Sequence, residues 1–255
     1  MPNLRWLKLD RTNLVELPDE ISHLKNLEHL SVTKNKLTNL HNGDLTALSN
    51  LKVINARKNQ LKNSGIPNGV FGLEELLTVD FSHNQLKEVP EELENAHSLI
   101  VLSLANNRIA SIPNQLFINC TDLMYLDLSD NHLDSLPPQL RRLVNLQVLV
   151  LNNNPLMHAQ LRQLPNLMSL HTLHLRNTQR TITNMPNKLD SLTNLTDVDL
   201  SYNDLPRVPE PIYRLSSLKR LNMSHNCISE LSNLTDTWTQ MEVLNVSRNQ
   251  LATLP

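Results

Sequence analysis

The residues of this sequence with the most scope for chemistry are its ten histidines and its two cysteines. His171 and His174 come nearest to a metal-ligand spacing, but neither has a cysteine or carboxylate partner at the interval that a metal site requires. The four glycines do not form a phosphate-binding loop. No serine lies in a nucleophile elbow, and no cysteine has an evident histidine base. The sequence therefore predicts no catalytic residue, no metal site and no cofactor, and a protein that is not an enzyme.

Asparagines at a fixed interval lead from side-chain chemistry to the fold. Leu146, Leu149, Leu151, Asn154 and Leu156 follow the pattern L-x-x-L-x-L-x-x-N-x-L of a leucine-rich repeat. The pattern starts eleven times, at intervals of 23 to 25 residues, at Leu4, Leu27, Leu51, Leu76, Leu99, Leu123, Leu146, Leu170, Leu195, Leu218 and Met241. The turn position is asparagine in nine repeats and threonine in two, Thr12 and Thr178. An amide there can satisfy backbone groups of neighbouring turns that have no sheet partner.

Each repeat predicts one short strand of four residues, such as Trp6–Leu9, and a return path to the next parallel strand. Aliphatic–proline pairs such as Leu17-Pro18 recur in the return paths and predict a short α or 3₁₀ turn, because proline suits the first turn of a helix. Residues 154–165 look more helical than their neighbours. The fold class is therefore α/β: a right-handed leucine-rich repeat horseshoe with parallel strands on the concave face and short turns on the convex face.

The domain prediction is a single solenoid of about eleven repeats over residues 1–255, with no internal boundary. Leu4 already belongs to a core position and the chain stops midway through the eleventh repeat, so we expect a solenoid truncated at both ends. Cys120 and Cys227 lie five repeats apart, roughly 24 Å at a strand spacing of ~4.8 Å, which is too far for a disulfide. Without clusters of cysteines at the repeat ends, an intracellular, reduced protein is expected.

Charge and hydropathy restrict the partners. The formal net charge of −2 and the pI near 6.5 argue against a general nucleic-acid binder, which needs a strongly basic stripe. No apolar run approaches the ~18 residues of a membrane span. The sequence therefore predicts neither nucleic-acid nor membrane partners.

The outward positions beside the strand leucines form the candidate binding surface, since side chains alternate along a strand. These positions are basic in the N-terminal third, neutral to acidic in the middle and mixed in the eighth and ninth repeats. The residues predicted to bind a partner are Lys8, Arg11, Lys34, Arg57, Lys58, His83, Asp127, Asp130, His174, Arg176 and Asp199. Solenoids use such surfaces to recognise other proteins. We expect the four adjacent cations Arg11, Lys34, Arg57 and Lys58 to meet an acidic surface.

Several stretches that the repeat does not dictate resemble the Flightless family of the gelsolin superfamily. They lie at 4–9, 61–67, 91–96, 112–119, 154–165 and 173–181, and the last two, NPLMHAQLRQLP and LHLRNTQRT, are the most specific. The resemblance covers essentially the whole chain. No individual binding residue is carried over from the family.

The resemblance implies a protein-interaction scaffold that links actin remodelling to signalling and transcriptional coactivation. Its implied partners are coiled-coil proteins that bind leucine-rich repeats, and Ras-type GTPases. Actin would be contacted only through gelsolin-like segments that this chain lacks. The implied location is cytoplasmic and cytoskeleton-associated, and also nuclear. The alternative is a leucine-rich repeat regulatory subunit of a Ras-pathway complex, whose regularity Thr178 and the polar stretch after it break.

Overall fold

A computed structural model describes residues 1–157 and 161–254 as two compact units, Met1–Asn131 and His132–Pro255. The first unit holds six strands: β1 (Trp6–Lys8), β2 (His29–Ser31), β3 (Val53–Asn55), β4 (Thr78–Asp80), β5 (Val101–Ser103) and β6 (Tyr125–Asp127). The second holds five: β7 (Val148–Val150), β8 (Thr172–His174), β9 (Asp197–Asp199), β10 (Arg220–Asn222) and β11 (Val243–Asn245). Whether residues 1–255 form a single solenoid domain stays a prediction.

Within each unit the strands pair in parallel and in chain order. Equivalent positions of successive repeats are aligned, as in the pairing of Leu7 with Leu30 and of Leu30 with Ile54. The predicted leucine-rich repeat fold of parallel strands is thereby confirmed. Each strand is one residue shorter than predicted, as in β1, which ends at Lys8 and not at Leu9.

The connections between strands contain short helical turns, as predicted. Two are α-helical, α1 (Asn114–Asn119) and α2 (Glu210–Tyr213). The others are 3₁₀ helices at Asp19–His23, Leu45–Ala47, Asn63–Gly65, Asn68–Gly72, Leu93–Asn95, Pro138–Arg142, Leu164–Asn166, Leu189–Ser191 and Asn233–Thr237. Within residues 154–165, predicted to be more helical, residues 158–160 lie outside the described residues.

Prolines lie one position earlier than predicted at several of these turns. Pro18, Pro67, Pro113 and Pro209 are the residues just before the helical turn, with extended ψ angles between 125° and 140°. The ring fixes φ near the value that the turn needs, while the extended ψ turns the chain into it. The proline therefore ends the extended segment, and the helical turn starts at the next residue.

The asparagines at the turn position of successive repeats, which we call the asparagine ladder, make the hydrogen bonds that the sequence predicts. Asn59 is typical: its Nδ2 donates to Val32 O of the preceding repeat at 2.9 Å and to Ala56 O of its own repeat at 2.9 Å. Its Oδ1 accepts from Leu37 N at 3.0 Å. One amide thus satisfies backbone groups in two successive repeats, beside buried leucines that form the core.

Candidate functional site

The candidate surface is the strand face of each unit, by which we mean the outward strand residues and the second and third residues after each strand. The third residue after the strand has a left-handed backbone in every repeat, with φ between 50° and 57°. These residues are Arg11, Lys34, Lys58, His83, Asn106, Asp130, Asn153, Asn177, Tyr202, His225 and Arg248. Left-handed backbone costs a residue with a Cβ about 1–2 kcal/mol. All four glycines lie elsewhere, at negative φ.

Backbone hydrogen bonds to the following repeat hold these left-handed residues in place. Lys34 N donates to Arg57 O at 2.9 Å, and Lys58 N donates to Ser82 O at 3.0 Å. The parallel hydrogen-bond ladder therefore extends past the strand and fixes the direction in which each of these side chains leaves the backbone. A surface made of loop residues is in this way built on a rigid framework.

The structure brings the predicted basic residues together on the strand face of the first unit. We call Arg11, Lys34, Arg57 and Lys58 the basic cluster. The pKa of Lys34 lies below its ordinary value because of the charge of Arg11 first, then burial, then the charges of Lys58 and Arg57. No member of the cluster takes part in an ion pair among the described residues. The cluster is therefore a concentration of positive charge without a neutralising carboxylate in contact.

Arg57 is oriented by its neighbours in the next repeat. Its Nη2 donates to His83 Nε2 at 3.0 Å, and its Nη1 donates to Ser82 Oγ at 3.3 Å. Ser82 Oγ in turn donates to Asp80 Oδ1 at 2.5 Å. Because His83 Nε2 is the acceptor, the imidazole is neutral in this arrangement. The pKa of His83 is lowered accordingly, by burial first and then by the charges of Arg57 and Lys58.

The remaining predicted residues of the first unit are used differently. Lys8 Nζ lies 3.5 Å from Asp10 Oδ2, so its charge is already compensated. Asp127 Oδ1 accepts from Ser129 N at 3.0 Å and from Ser129 Oγ at 2.6 Å, which makes this carboxylate part of the turn. Asp130 is exposed and has one of the left-handed backbones. These three residues lie on the strand face as predicted, but they do not add positive charge to the basic cluster.

The second unit has a mixed patch around Asp197. His174 Nε2 donates to Asp197 Oδ1 at 3.2 Å, and Arg220 Nε donates to Asp197 Oδ2 at 2.7 Å. Asp199 accepts from Ser201 N at 2.8 Å and from Asn222 Nδ2 at 3.2 Å. A hollow of about 310 Å³ opens among these side chains. The sequence predicts His174 and Asp199 but misses Asp197, which organises the patch.

Arg176, the other predicted residue of this unit, belongs to a stack of flat groups. Its guanidinium carbon lies 4.2 Å from the ring centroid of Tyr202, and the imidazole of His225 stacks on the same ring with centroids 3.9 Å apart. Arg176 and His225 come from the repeats on either side of Tyr202, so they approach its ring from opposite sides. Tyr202 and His225 were not among the predicted residues. They hold equivalent positions in successive repeats, which places them side by side.

Two further residues of interest were not predicted from the sequence. Trp6, at an outward position of β1, is 68% exposed and stacks on His29 with ring centroids 3.5 Å apart. The sequence did indicate Trp6, because a tryptophan at an outward strand position is unusual in a chain with 3% aromatic residues. Arg180 is fully buried, and burial lowers its pKa to about 10. Its guanidinium donates to the carbonyls of Leu156, Thr178 and Asn184. No local sequence pattern indicated this role of Arg180.

Other chemistry is sparse. Within residues 1–157 and 161–254, no group of three or more His, Cys, Asp or Glu side chains is placed to hold a metal ion. The same part of the chain has no helix long and apolar enough to cross a membrane. Cys120 is buried and Cys227 is exposed, and both are free thiols. Burial, with a smaller contribution from Glu94, raises the pKa of Cys120 to about 12.

Comparison with known proteins places the chain among leucine-rich repeat proteins. The family model "Leucine rich repeat" matches residues 2–61 and 97–156. A flightless-1 homolog from Mus musculus is 63% identical over 213 residues, which are 84% of this chain and 17% of that protein. A flightless-1 homolog from Caenorhabditis elegans is 49% identical over 238 residues, 93% of this chain and 19% of that protein. The chain thus spans less than a fifth of the length of these relatives.

A solved structure shows the same fold. The Arabidopsis receptor kinase HAESA, in complex with a peptide hormone and a co-receptor, superposes with a TM-score of 0.79 at 27% sequence identity. The match covers 99% of this chain and 43% of that chain.

Proposed function

Because the chain belongs to the flightless-1 family, we propose that it is the protein-interaction region of a scaffold that links actin remodelling to signalling and transcriptional coactivation. Leucine-rich repeat fold and family together point to a non-enzymatic interaction region. Family membership favours this function over the alternative, a leucine-rich repeat regulatory subunit of a Ras-pathway complex. We assign actin contact to gelsolin-like segments of the family, and the location to the cytoplasm, near the cytoskeleton, and to the nucleus.

The basic cluster is the observation that carries the proposal. Two other cations on the strand face are compensated within the chain, Lys8 by Asp10 and Arg220 by Asp197. The cations of the basic cluster are not compensated by an ion pair, although like charges held close together repel one another. An acidic partner surface would relieve that repulsion, raise the association rate and fix the register of binding.

The partners that we propose are coiled-coil proteins that bind leucine-rich repeats, and Ras-type GTPases. Both classes come from the family resemblance. The structural neighbour HAESA, whose complex holds a peptide hormone and a co-receptor, supports a protein or peptide ligand for this fold. The mixed patch around Asp197 and the stack around Tyr202 offer a second contact region, in the other unit, with both charge signs and flat rings.

Paired charge reversals test the proposal. The tagged chain, the variant with Lys34→Glu and Lys58→Glu, and a control variant with Lys25→Glu and Arg141→Glu are used to capture proteins from a cell extract. The control residues are exposed and lie on the connections. We expect specific partners to be retained by the parent and the control and lost by the strand-face variant, with unfolding temperatures unchanged. Loss with the control pair and retention with the strand-face pair would place binding on the other side.

A further inference from the structure

We propose that the basic cluster is a phosphoryl-binding site, which receives a phosphorylated serine or threonine in a segment of the partner protein. In this arrangement the phosphoryl group is bound by the guanidinium of Arg57 and by the ammonium groups of Lys34 and Lys58. The inference rests on the proposed function and specifies the chemistry of the partner. No bond is made or broken.

The amount of uncompensated charge favours a phosphoryl group over a carboxylate. A phosphorylated side chain brings a charge of about −1.5 to −2 at neutral pH, whereas aspartate or glutamate brings −1. The cluster gathers four cations from three successive repeats, and the charges of the other three all lower the pKa of Lys34. A phosphoryl group offers these cations three oxygens and nearly two negative charges, whereas a carboxylate offers two oxygens and one charge.

The position of Arg57 favours the same ligand. Guanidinium has five N–H donors, and the contacts to Ser82 and His83 use two of them. The others remain for a ligand, in the planar geometry that pairs with two phosphoryl oxygens. Since His83 accepts from Arg57 as a neutral group, it orients the guanidinium without neutralising its charge. The arginine is therefore held in place before the ligand arrives, and less side-chain entropy is lost on binding.

Lys34 and Lys58 complete the site from adjacent repeats. Both are exposed, and their left-handed backbones are fixed by hydrogen bonds to the next repeat. Because β2 and β3 are paired neighbours, the two lysines leave the backbone about one strand spacing apart, ~4.8 Å. Arg11 extends the cluster by one more repeat. Exposed Trp6 lies in the same repeat as Arg11 and offers an apolar contact for a neighbouring residue of the partner segment.

Three short synthetic peptides of identical alanine–glycine sequence test the inference, with serine, phosphoserine or glutamate at the centre. Each is titrated into the isotope-labelled chain, and binding is followed by the amide NMR shifts of Lys34, Lys58 and His83. We expect saturable shifts with phosphoserine, about tenfold weaker binding of glutamate, and no saturation with serine. Anionic phosphatidylserine vesicles and a short DNA oligonucleotide are titrated in parallel, and neither should saturate these shifts.

Variants separate the site from general charge attraction. Lys34→Glu with Lys58→Glu should abolish the phosphoserine response, while Lys25→Glu with Arg141→Glu should leave it unchanged. Arg57→Lys keeps the charge but removes the planar pair of donors, so phosphoserine affinity should fall by about tenfold while glutamate affinity changes little. Retained amide dispersion confirms that each variant is folded.

Three results would overturn the inference. One is equal affinity for phosphoserine and glutamate, which leaves the proposed function standing, because an acidic protein surface would still bind. Another is saturation by vesicles or DNA without saturation by the phosphopeptide. The third is a phosphopeptide response that the strand-face reversal does not change. Failure of the proposed function is a separate outcome, visible as partner capture that depends on the control pair alone.

Discussion

Asn107→Ala removes the amide that ties the fifth repeat to the fourth. The side chain is buried, and its Oδ1 accepts from Leu86 N at 3.0 Å. Its Nδ2 donates to Phe81 O at 3.0 Å, to Leu104 O at 2.9 Å and to Ala105 O at 3.3 Å. Alanine can replace none of these hydrogen bonds. The cost depends on which of the four backbone groups keep another partner.

The carbonyl groups keep partners, but the Leu86 amide does not. Phe81 O still accepts from Asn84 at 3.0 Å, and Leu104 O still accepts from Asn131 at 3.0 Å. Ala105 O still accepts a hydrogen bond of 2.7 Å from a backbone N–H group of the preceding repeat. In the described part of the chain, the Leu86 N–H group has Asn107 as its only hydrogen-bond acceptor. One buried donor left unpaired costs about 1–3 kcal/mol, which is the destabilisation we expect.

Hydrogen exchange at a single amide gives the sharpest assay. A local opening that is easier by about 1–3 kcal/mol speeds exchange of the Leu86 amide roughly 5–150-fold. Urea unfolding should show a loss of the same size. Arg108→Ala, an exposed neighbour, should stay within about 0.5 kcal/mol of the parent. Asn107→Thr should expose the same amide, because a threonine hydroxyl bonds the carbonyl of its own repeat, as Thr178 does with Leu175 O at 2.7 Å.

The reasoning about the ladder is wrong if the Leu86 amide in Asn107→Ala exchanges as slowly as in the parent. Faster exchange spread evenly over all repeats, with no local maximum at Leu86, would also contradict it. That pattern would mean that the asparagine contributes to global stability without serving this particular donor.

Three further predictions concern the left-handed turns, the buried arginine and the thiols. Lys58→Gly should change the free energy of unfolding by less than about 1 kcal/mol, because glycine avoids the left-handed penalty but has more conformational entropy in the unfolded chain. Lys58→Val should lower that free energy by about 1–2 kcal/mol or more in urea unfolding. Arg180→Lys should cost about 2 kcal/mol or more in the same assay, since one ammonium cannot reach the carbonyls that the guanidinium bonds. Iodoacetamide at neutral pH should label Cys227 and spare Cys120, whose raised pKa keeps the thiol protonated and whose burial blocks access; labelling of both in the folded chain would contradict the described core.

The repeat pattern was sufficient to predict the strands and the ladder because both depend on short-range periodicity. Leu7, Leu30 and Ile54 recur at the spacing of one repeat, and the structure aligns them in neighbouring strands. The same periodicity placed Lys34 and Lys58 on one face. Side-chain type did not reveal their left-handed backbone, because lysine is uncommon there and the turn is imposed by hydrogen bonds to the next repeat.

Arg180 shows why the irregular eighth repeat could not be read from its composition. A polar stretch after Thr178 indicates a solvent-exposed loop, yet Arg180 is fully buried. Thr178 lacks the amide that would reach back to the preceding repeat, and its hydroxyl donates to Leu175 O of its own repeat. Arg180 instead reaches back to Leu156 O. The compensation depends on three-dimensional proximity across 24 residues, and no local pattern encodes it.

The contact between Arg57 and His83 makes a pH-dependent prediction. In the folded chain the pKa of His83 lies below its ordinary value of 6.5, first because of burial and second because of the charge of Arg57. A lowered histidine pKa means that the unfolded chain binds the proton more readily. This contribution to stability is therefore fully present above pH 6.5 and is lost as the pH falls from there through the folded-state pKa.

Arg57→Gln separates the two causes. Removing the guanidinium should raise the pKa of His83 towards 6.5 but not all the way, because burial still disfavours the charged imidazole. The measurement is an NMR titration of the His83 ring, with Lys25→Gln as the control for removal of a distant charge. An unchanged pKa of His83 in Arg57→Gln would show that the guanidinium does not contact Nε2 of His83. The phosphoryl site would then lose the interaction that orients its central arginine.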